Sequence, residues 1–257
     1  MRAIGESLWA GRGRQEAVEC HLHEWLLPRA FVQDPRLWLV CPYDVSGLDA
    51  ADIDVARRLH QLIFDVDDVE REPYPAPDLT DAATPSAPRD LLLTAVPFPA
   101  DDRLPPAQPD PVVELTFGNG DLAEVRDRTT AAATGAGLEP YRAKELTLAV
   151  HEVASNVLRH TDGSGRLRVW AAGPGIEGPS AVVCEISDTG IALGAIADPM
   201  VGRVRPTTGS DSGRGLWLAN QLCDLVQLRT SPSGTVVRMH VLLPTELTPG
   251  RGAVTSR

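Results

Sequence analysis

Val150-His-Glu-Val-Ala-Ser-Asn-Val-Leu-Arg-His160 carries an apolar and a polar helical repeat together. Val150, Val153 and Val157, with Leu146 one turn earlier, form a stripe that calls for burial against a core. Glu152, Asn156 and His160 recur at every fourth position off that stripe, which stacks them on one face with neighbouring Cβ atoms roughly 6 Å apart. A carboxylate and an amide oxygen so spaced can divide two tasks. The amide can ligate a hard cation such as Mg2+, and the carboxylate can take a proton from a hydroxyl nucleophile. Taken alone, such a face is more often simply solvated.

Working outward, Pro140 stands where proline prefers to stand, in a first helical turn, so the helix is predicted over 140–160. Upstream, Val112–Phe117 reads as a strand and Asp121–Thr134 as a helix ended by Gly135-Ala-Gly137. Downstream come strands at Arg166–Ala172 and Ala181–Asp188, joined by a glycine-rich turn. An irregular stretch, Ile191–Ser212, follows, and its Ile191–Thr208 portion reads as a mobile lid. A helix over Gly215–Leu225 and a hairpin of Val226–Thr230 with Thr235–Leu242 close the pattern. Helices alternating with mostly antiparallel strands predict an α+β sandwich, one sheet covered on one face.

Further signals sit at the ends of these elements. Asp188 ends a buried strand and is followed by Thr189-Gly190, where the chain can turn away. A carboxylate there can accept a hydrogen bond from an exocyclic amine such as that of adenine, although Asp and Gly are also the commonest turn residues. Ser212-Gly213-Arg214-Gly215-Leu216 leads into an amphipathic helix. Its backbone N–H groups and the helix dipole favour phosphate, and Arg214 adds a charged donor. Gly173-Pro-Gly175-Ile-Glu-Gly178 matches a dinucleotide fingerprint, but Pro174 and the return into a strand make it a hairpin loop. The only lysine, Lys144, has no glycine-rich turn beside it, so a P-loop is excluded.

The order of these signals is more telling than any one of them. Glu-x-x-x-Asn on a helix, Asp-x-Gly after a strand, Gly-x-Gly before a helix and Gly234-Thr235 at the last strand resemble the GHKL ATPase family, shared by histidine kinases, gyrase-type ATPases and anti-sigma-factor serine kinases. The likeness covers residues 112–245, and its Val150–His160 and Gly213–Asp224 passages look most like the anti-sigma kinase branch. It implies an α/β sandwich that binds ATP and Mg2+, with Glu152 as general base and Asn156 as the Mg2+ ligand. It implies further that Asp188 reads the adenine amine, that Gly190 shapes that pocket and that Thr235 shares a water with Asp188. Gly213, Arg214, Gly215 and Leu216 would wrap the phosphates, and His160 matches a position near metal and phosphates. The implied partners are a sigma factor and an anti-anti-sigma antagonist phosphorylated on serine. A sensor histidine-kinase-like protein and a non-catalytic nucleotide-binding regulatory module are the alternatives. The former needs a phosphoacceptor histidine on an upstream helical hairpin, and residues 76–111 contain no histidine.

Those residues hold much of the chain's proline, including Leu-Pro-Pro-Ala-Gln-Pro-Asp-Pro, and read as a linker that is partly packed, with one possible short strand at Leu91–Val96. Before it, residues 1–75 read as an α/β fragment with a helix over Gln15–Phe31, one strand at Leu37–Cys41 and a helix over Leu48–Ile63. A lone strand cannot form a sheet, so the 91–96 segment, the other domain or a second chain is expected to complete it. Ile4–Gly11, Val18–Glu24 and Leu39–Asp44 resemble the second half of the MEDS sensory domain, with Met1 falling inside the pattern, so a partial sensory segment is implied. Cys20, His21 and His23 invite a metal reading, but positions two apart on a helix face away from each other, and no zinc site is expected. Residues 246–257 read as a flexible tail.

Composition narrows the function classes. A net charge of −11 argues against a nucleic-acid surface. The acidity is concentrated outside the ATPase-like part, residues 1–75 carrying −6, 76–111 carrying −4 and 112–245 only −2. An anionic ligand therefore belongs in the C-terminal half. No apolar run is long enough for a membrane helix, no signal-peptide pattern is seen, and the four cysteines lie far apart, so the chain reads as cytoplasmic without disulfides. A homodimer is implied by the resemblance and by the open strand edges of the N-terminal layer.

Overall fold

The structure, a computed structural model, describes residues 2–30, 38–60, 62–63, 72–73, 104–107, 111–161, 163–175, 178–189, 200–206, 213–231 and 234–244. The strand expected at Leu91–Val96, Gly190, the tail and most of the 191–212 stretch lie outside the described residues.

The C-terminal half is built on one antiparallel sheet. Its strands are β5 (Val113–Gly118), β6 (Ser164–Ala172), β7 (Ala181–Asp188), β8 (Leu225–Ser231) and β9 (Gly234–Leu242), in the order β5-β6-β7-β9-β8. Strand β7 is central, and its first six residues, Ala181 to Ile186, are all buried. Its Val182, Cys184 and Ile186 alternate toward the helices, joined there by Leu167 and Val169 of β6 and by Val237, Met239 and Val241 of β9.

Helices α3 (Leu122–Gly135), α4 (Pro140–His160) and α5 (Arg214–Leu222) cover that face. The predicted α4 stripe is fully used, with Leu146, Val150, Val153 and Val157 all buried. Each such side chain contributes about 1.5–3 kcal/mol by leaving water. Between α3 and α4, Gly137 takes φ +98, Leu138 N donates to Ala133 O at 3.1 Å and Gly137 N to Thr134 O at 3.0 Å. This pairing satisfies the last carbonyls of α3, and Leu138 buries itself beside them. Pro140 then opens α4, as expected. Helix α5 ends earlier than Leu225, because Leu225 is already drawn into β8 opposite His240.

The sheet's other face is polar but paired. Arg238 donates to Glu185 at 2.6 and 3.0 Å, lies 5.3 Å over the Trp170 ring and donates to Pro105 O at 2.9 Å. Ala107 packs with Trp170 and Val183, so residues 104–107 of the proline-rich stretch cover this face. His240 Nε2 bonds Gln227 Oε1 at 3.0 Å, both side chains being buried.

The N-terminal segment corrects one expectation. Strand β1 (Arg2–Ile4) pairs in parallel with β2 (Trp38–Val40), so neither the 91–96 segment nor a second chain is needed to give β2 a partner. Helix α1 (Arg14–Ala30) lies between them in sequence, and α2 (Ala50–Leu59) follows. The second helix is shorter than predicted, because His60 turns extended and Leu62–Ile63 (β3) pairs with Glu72–Pro73 (β4). The Gly173–Gly178 decoy is a hairpin loop, with Gly175 and Gly178 exchanging backbone hydrogen bonds.

Burial, and secondarily Arg238, lowers the His240 pKa from 6.5 to about 4. The unfolded chain therefore binds this proton more readily between those values, and stability falls as pH drops from 6.5 to about 4. The full effect is about 3 kcal/mol. Urea midpoints measured across that window should fall for the wild type, and less steeply for His240→Gln.

Candidate nucleotide-binding site

The predicted site residues fall into two groups on the helix side of the sheet, one where α5 meets α4 and one at the paired ends of β7 and β9. Glu152 and Asn156 are half-buried on α4, off its core stripe, as the periodicity requires. Helix α5 starts beside them. A Cβ on Gly215 would lie 2.7 Å from Asn156 Nδ2, 3.3 Å from Glu152 Cβ and 3.4 Å from the Glu152 carbonyl oxygen. No side chain fits there, so glycine lets the first turn of α5 rest directly on the polar face of α4. Gly213, at φ +80, takes the left-handed conformation that turns the chain into the helix.

Asp188 and Thr235 are directly opposed across β7 and β9. By strand alternation they share the side of Ile186 and Val237, which face the helices. Thr235 is only 5% exposed, and its Oγ1 has no hydrogen-bond partner among the described residues. A buried hydroxyl without a partner costs about 1–3 kcal/mol, so it points to a bound group or water that satisfies it. Gly234 makes the pairing possible, since at φ +135 a Cβ would fall 1.9 Å from the Asp188 carbonyl oxygen. Sequence reading used Gly234 only as a marker of the strand; its Ser-Gly-Thr setting was the available signal.

Of the remaining predicted residues, Arg214 is exposed at the first position of α5, and Leu216 is half-buried against the main core. His160 is exposed in the last turn of α4. Gly190 lies outside the described residues. Two further residues were missed. Gly202 takes φ +76 and abuts Leu216, and Asn220 of α5 donates to its carbonyl at 3.1 Å. Neither stands in a motif of its own, and both become visible only in three dimensions.

A cleft of about 410 Å³ opens near the same strand ends, lined by Thr116, Arg166, Ser187, Asp188 and Val236 among others. Arg166, Ser187 and Val236 are register neighbours on the face away from the helices. Asp188 lines this cleft, whereas Glu152 and Asn156 do not.

The arrangement suits a purine nucleotide. The helix-side site offers a carboxylate beside a buried hydroxyl at one end. At the other it offers the positive end of a nine-residue helix against a carboxylate and an amide. Among the described residues no cluster of three histidine, cysteine or acidic side chains can hold a metal alone. An ion here would take Asn156 oxygen together with ligand phosphates, which is how magnesium is commonly held.

Thr235→Val removes the buried hydroxyl at nearly constant volume. It should raise the urea-unfolding free energy by about 1 kcal/mol. A loss of that size would show instead that the hydroxyl is satisfied within the protein.

Residues 117–241 match the family model described as a histidine kinase-like ATPase domain. Residues 1–61 match that of MEDS, the methanogen/methylotroph DcmR sensory domain. Among solved structures, the histidine kinase domain of the blue-light activated histidine kinase EL346 from Erythrobacter litoralis is similar at 17% identity, over 48% of this chain and 64% of that one, with a TM-score of 0.29. The chain thus spans less than two thirds of that domain's length. No curated protein matches this chain. The C-terminal half has the mixed α+β fold of a GHKL, histidine kinase-like ATPase, with a match to the MEDS sensory domain ahead of it.

Proposed function

We propose that this chain is an ATP-binding anti-sigma regulatory protein that transfers a phosphoryl group to a serine or threonine of an antagonist protein. The contact that carries the proposal is Gly215 against Glu152 and Asn156, which sets a helix N-terminus, a carboxylate and an amide around one point. Asp188 accepts from the adenine amine, with Thr235 sharing a water beside it. The backbone N–H groups of Gly213–Gly215 and the dipole of α5 hold the phosphates, and Arg214 adds charge from the rim. Asn156 offers its side-chain oxygen to magnesium, which supplies charge neutralisation at the phosphates when bound. Glu152 takes the proton from the attacking hydroxyl, and orientation with electrostatics supplies most of the acceleration. His160 stands one further turn along the same face. A sigma factor is the partner held when no antagonist competes, and the active species is a homodimer.

The family description favours a second reading, a histidine kinase-like protein. Labelled ATP separates the two. Acid-stable label on a partner protein supports the proposal, whereas acid-labile label on the chain itself supports the histidine reading. With a phosphorylated partner in hand, Glu152→Ala should reduce transfer at least about 100-fold while leaving nucleotide affinity within about threefold. Asn156→Ala should weaken binding only when Mg2+ is present. Transfer that survives Glu152→Ala would remove Glu152 from the role of base.

A further inference from the structure

Glu19 lies on α1, remote in sequence from the nucleotide site, yet its carboxylate is 7% exposed and faces two arginines of the C-terminal half. Arg203 Nη2 donates to Oε2 at 3.0 Å, and Arg229 Nη2 of β8 stands 2.6 Å from Oε1. Removing either side of such a buried pair leaves its partner without its charge-assisted hydrogen bond, so the pairing ties α1 to the C-terminal half. Trp25 and Leu26, further along α1, pack with Met200 and add an apolar hold on the same short segment.

That segment, 200–206, presses on α5. The Arg203 and Val204 amides return to Met200 O at 2.9 and 3.3 Å, which makes a compact turn. At Gly202 a Cβ would lie 2.7 Å from Leu216 Cβ, so turn and helix are in direct contact. Asn220 Nδ2 bonds the Gly202 carbonyl, and Val201 Cγ2 lies 3.2 Å from where a Gly213 Cβ would be. Contact therefore runs from Glu19 through Arg203 and the turn to Gly213 and Leu216, without a break.

We propose that Glu19 is a positioning residue for the nucleotide site, its bridge to Arg203 holding the 200–206 turn against α5 so that the Gly213–Gly215 backbone is set for phosphate. The N-terminal segment thereby regulates nucleotide affinity. Anything that shifts α1 withdraws the carboxylate from the turn, and by reciprocity bound nucleotide favours the bridged position of α1. This rests on the ATP reading above.

The test measures the Kd of N-methylanthraniloyl-ATP with Mg2+ for the full chain, Glu19→Gln, Arg203→Gln and the double variant, each checked for native circular dichroism. Each single change should weaken binding about tenfold, and the double should be no weaker than the weaker single, because both act through one bridge. A merely structural bridge would lower the melting temperature and leave the Kd of the folded variants at the wild-type value, which overturns the inference. Losses that add in the double also overturn it. Arg203, at 21% side-chain exposure, gives the reading should Glu19→Gln not fold. A wild type that takes up no nucleotide overturns the ATP reading and this inference with it, whereas a binding wild type with unaffected variants overturns this inference alone.

Discussion

Two helices approach so closely at one point that only a hydrogen atom fits between them. With a Cβ on Gly215 placed 2.7 Å from the Asn156 amide, the first turn of α5 must lie on the polar face of α4. The rest of the site depends on that approach. It sets the first turn of α5 directly beside the Glu152 and Asn156 positions of α4. The same logic recurs at the strand ends, where Gly234 lets β9 reach Asp188 closely enough for Thr235 to stand opposite it. Glycines thus set the site by what they leave out.

Both faces of the sheet bury polar groups. Away from the helices, Arg238 is engaged by Glu185, Trp170 and Pro105, and His240 is engaged by Gln227. These two side chains hold the sheet and its proline-rich cover together. On the helix side, the Thr235 hydroxyl is buried with no partner among the described residues, beside a carboxylate at a strand end. A buried hydroxyl of that kind points to a bound group or water beside it.

Much of this was legible in the sequence, for local reasons. The α4 stripe, the α3–α4 connection with its Gly137 and Pro140, and the run of β7 all follow from spacing and backbone chemistry within a few residues, and they appear as expected. The order of motifs gave the fold of the C-terminal half. What was not legible is non-local. Strand β1 has three residues and becomes a strand only by pairing in parallel with β2 across a whole helix. Gly202 and Asn220 matter through a contact between a turn and a helix that no periodicity announces. Glu19 reads as one more acid on a charged helix, and its hydrogen-bond partner Arg203 is 184 residues away. Helix α2 was overextended because its apolar spacing runs on past His60, where pairing of β3 with β4 takes over.

The central claim is that the face of α4, the start of α5 and the Asp188–Thr235 pair bound a single nucleotide. A crystal structure with Mg2+ and a non-hydrolysable ATP analogue tests it most directly. The account predicts the adenine amine within hydrogen-bond distance of the Asp188 carboxylate, the phosphates at the Gly213–Gly215 backbone and the metal on Asn156. Nucleotide seated in the cleft on the opposite face of the sheet, beside Arg166 and Ser187, would contradict it.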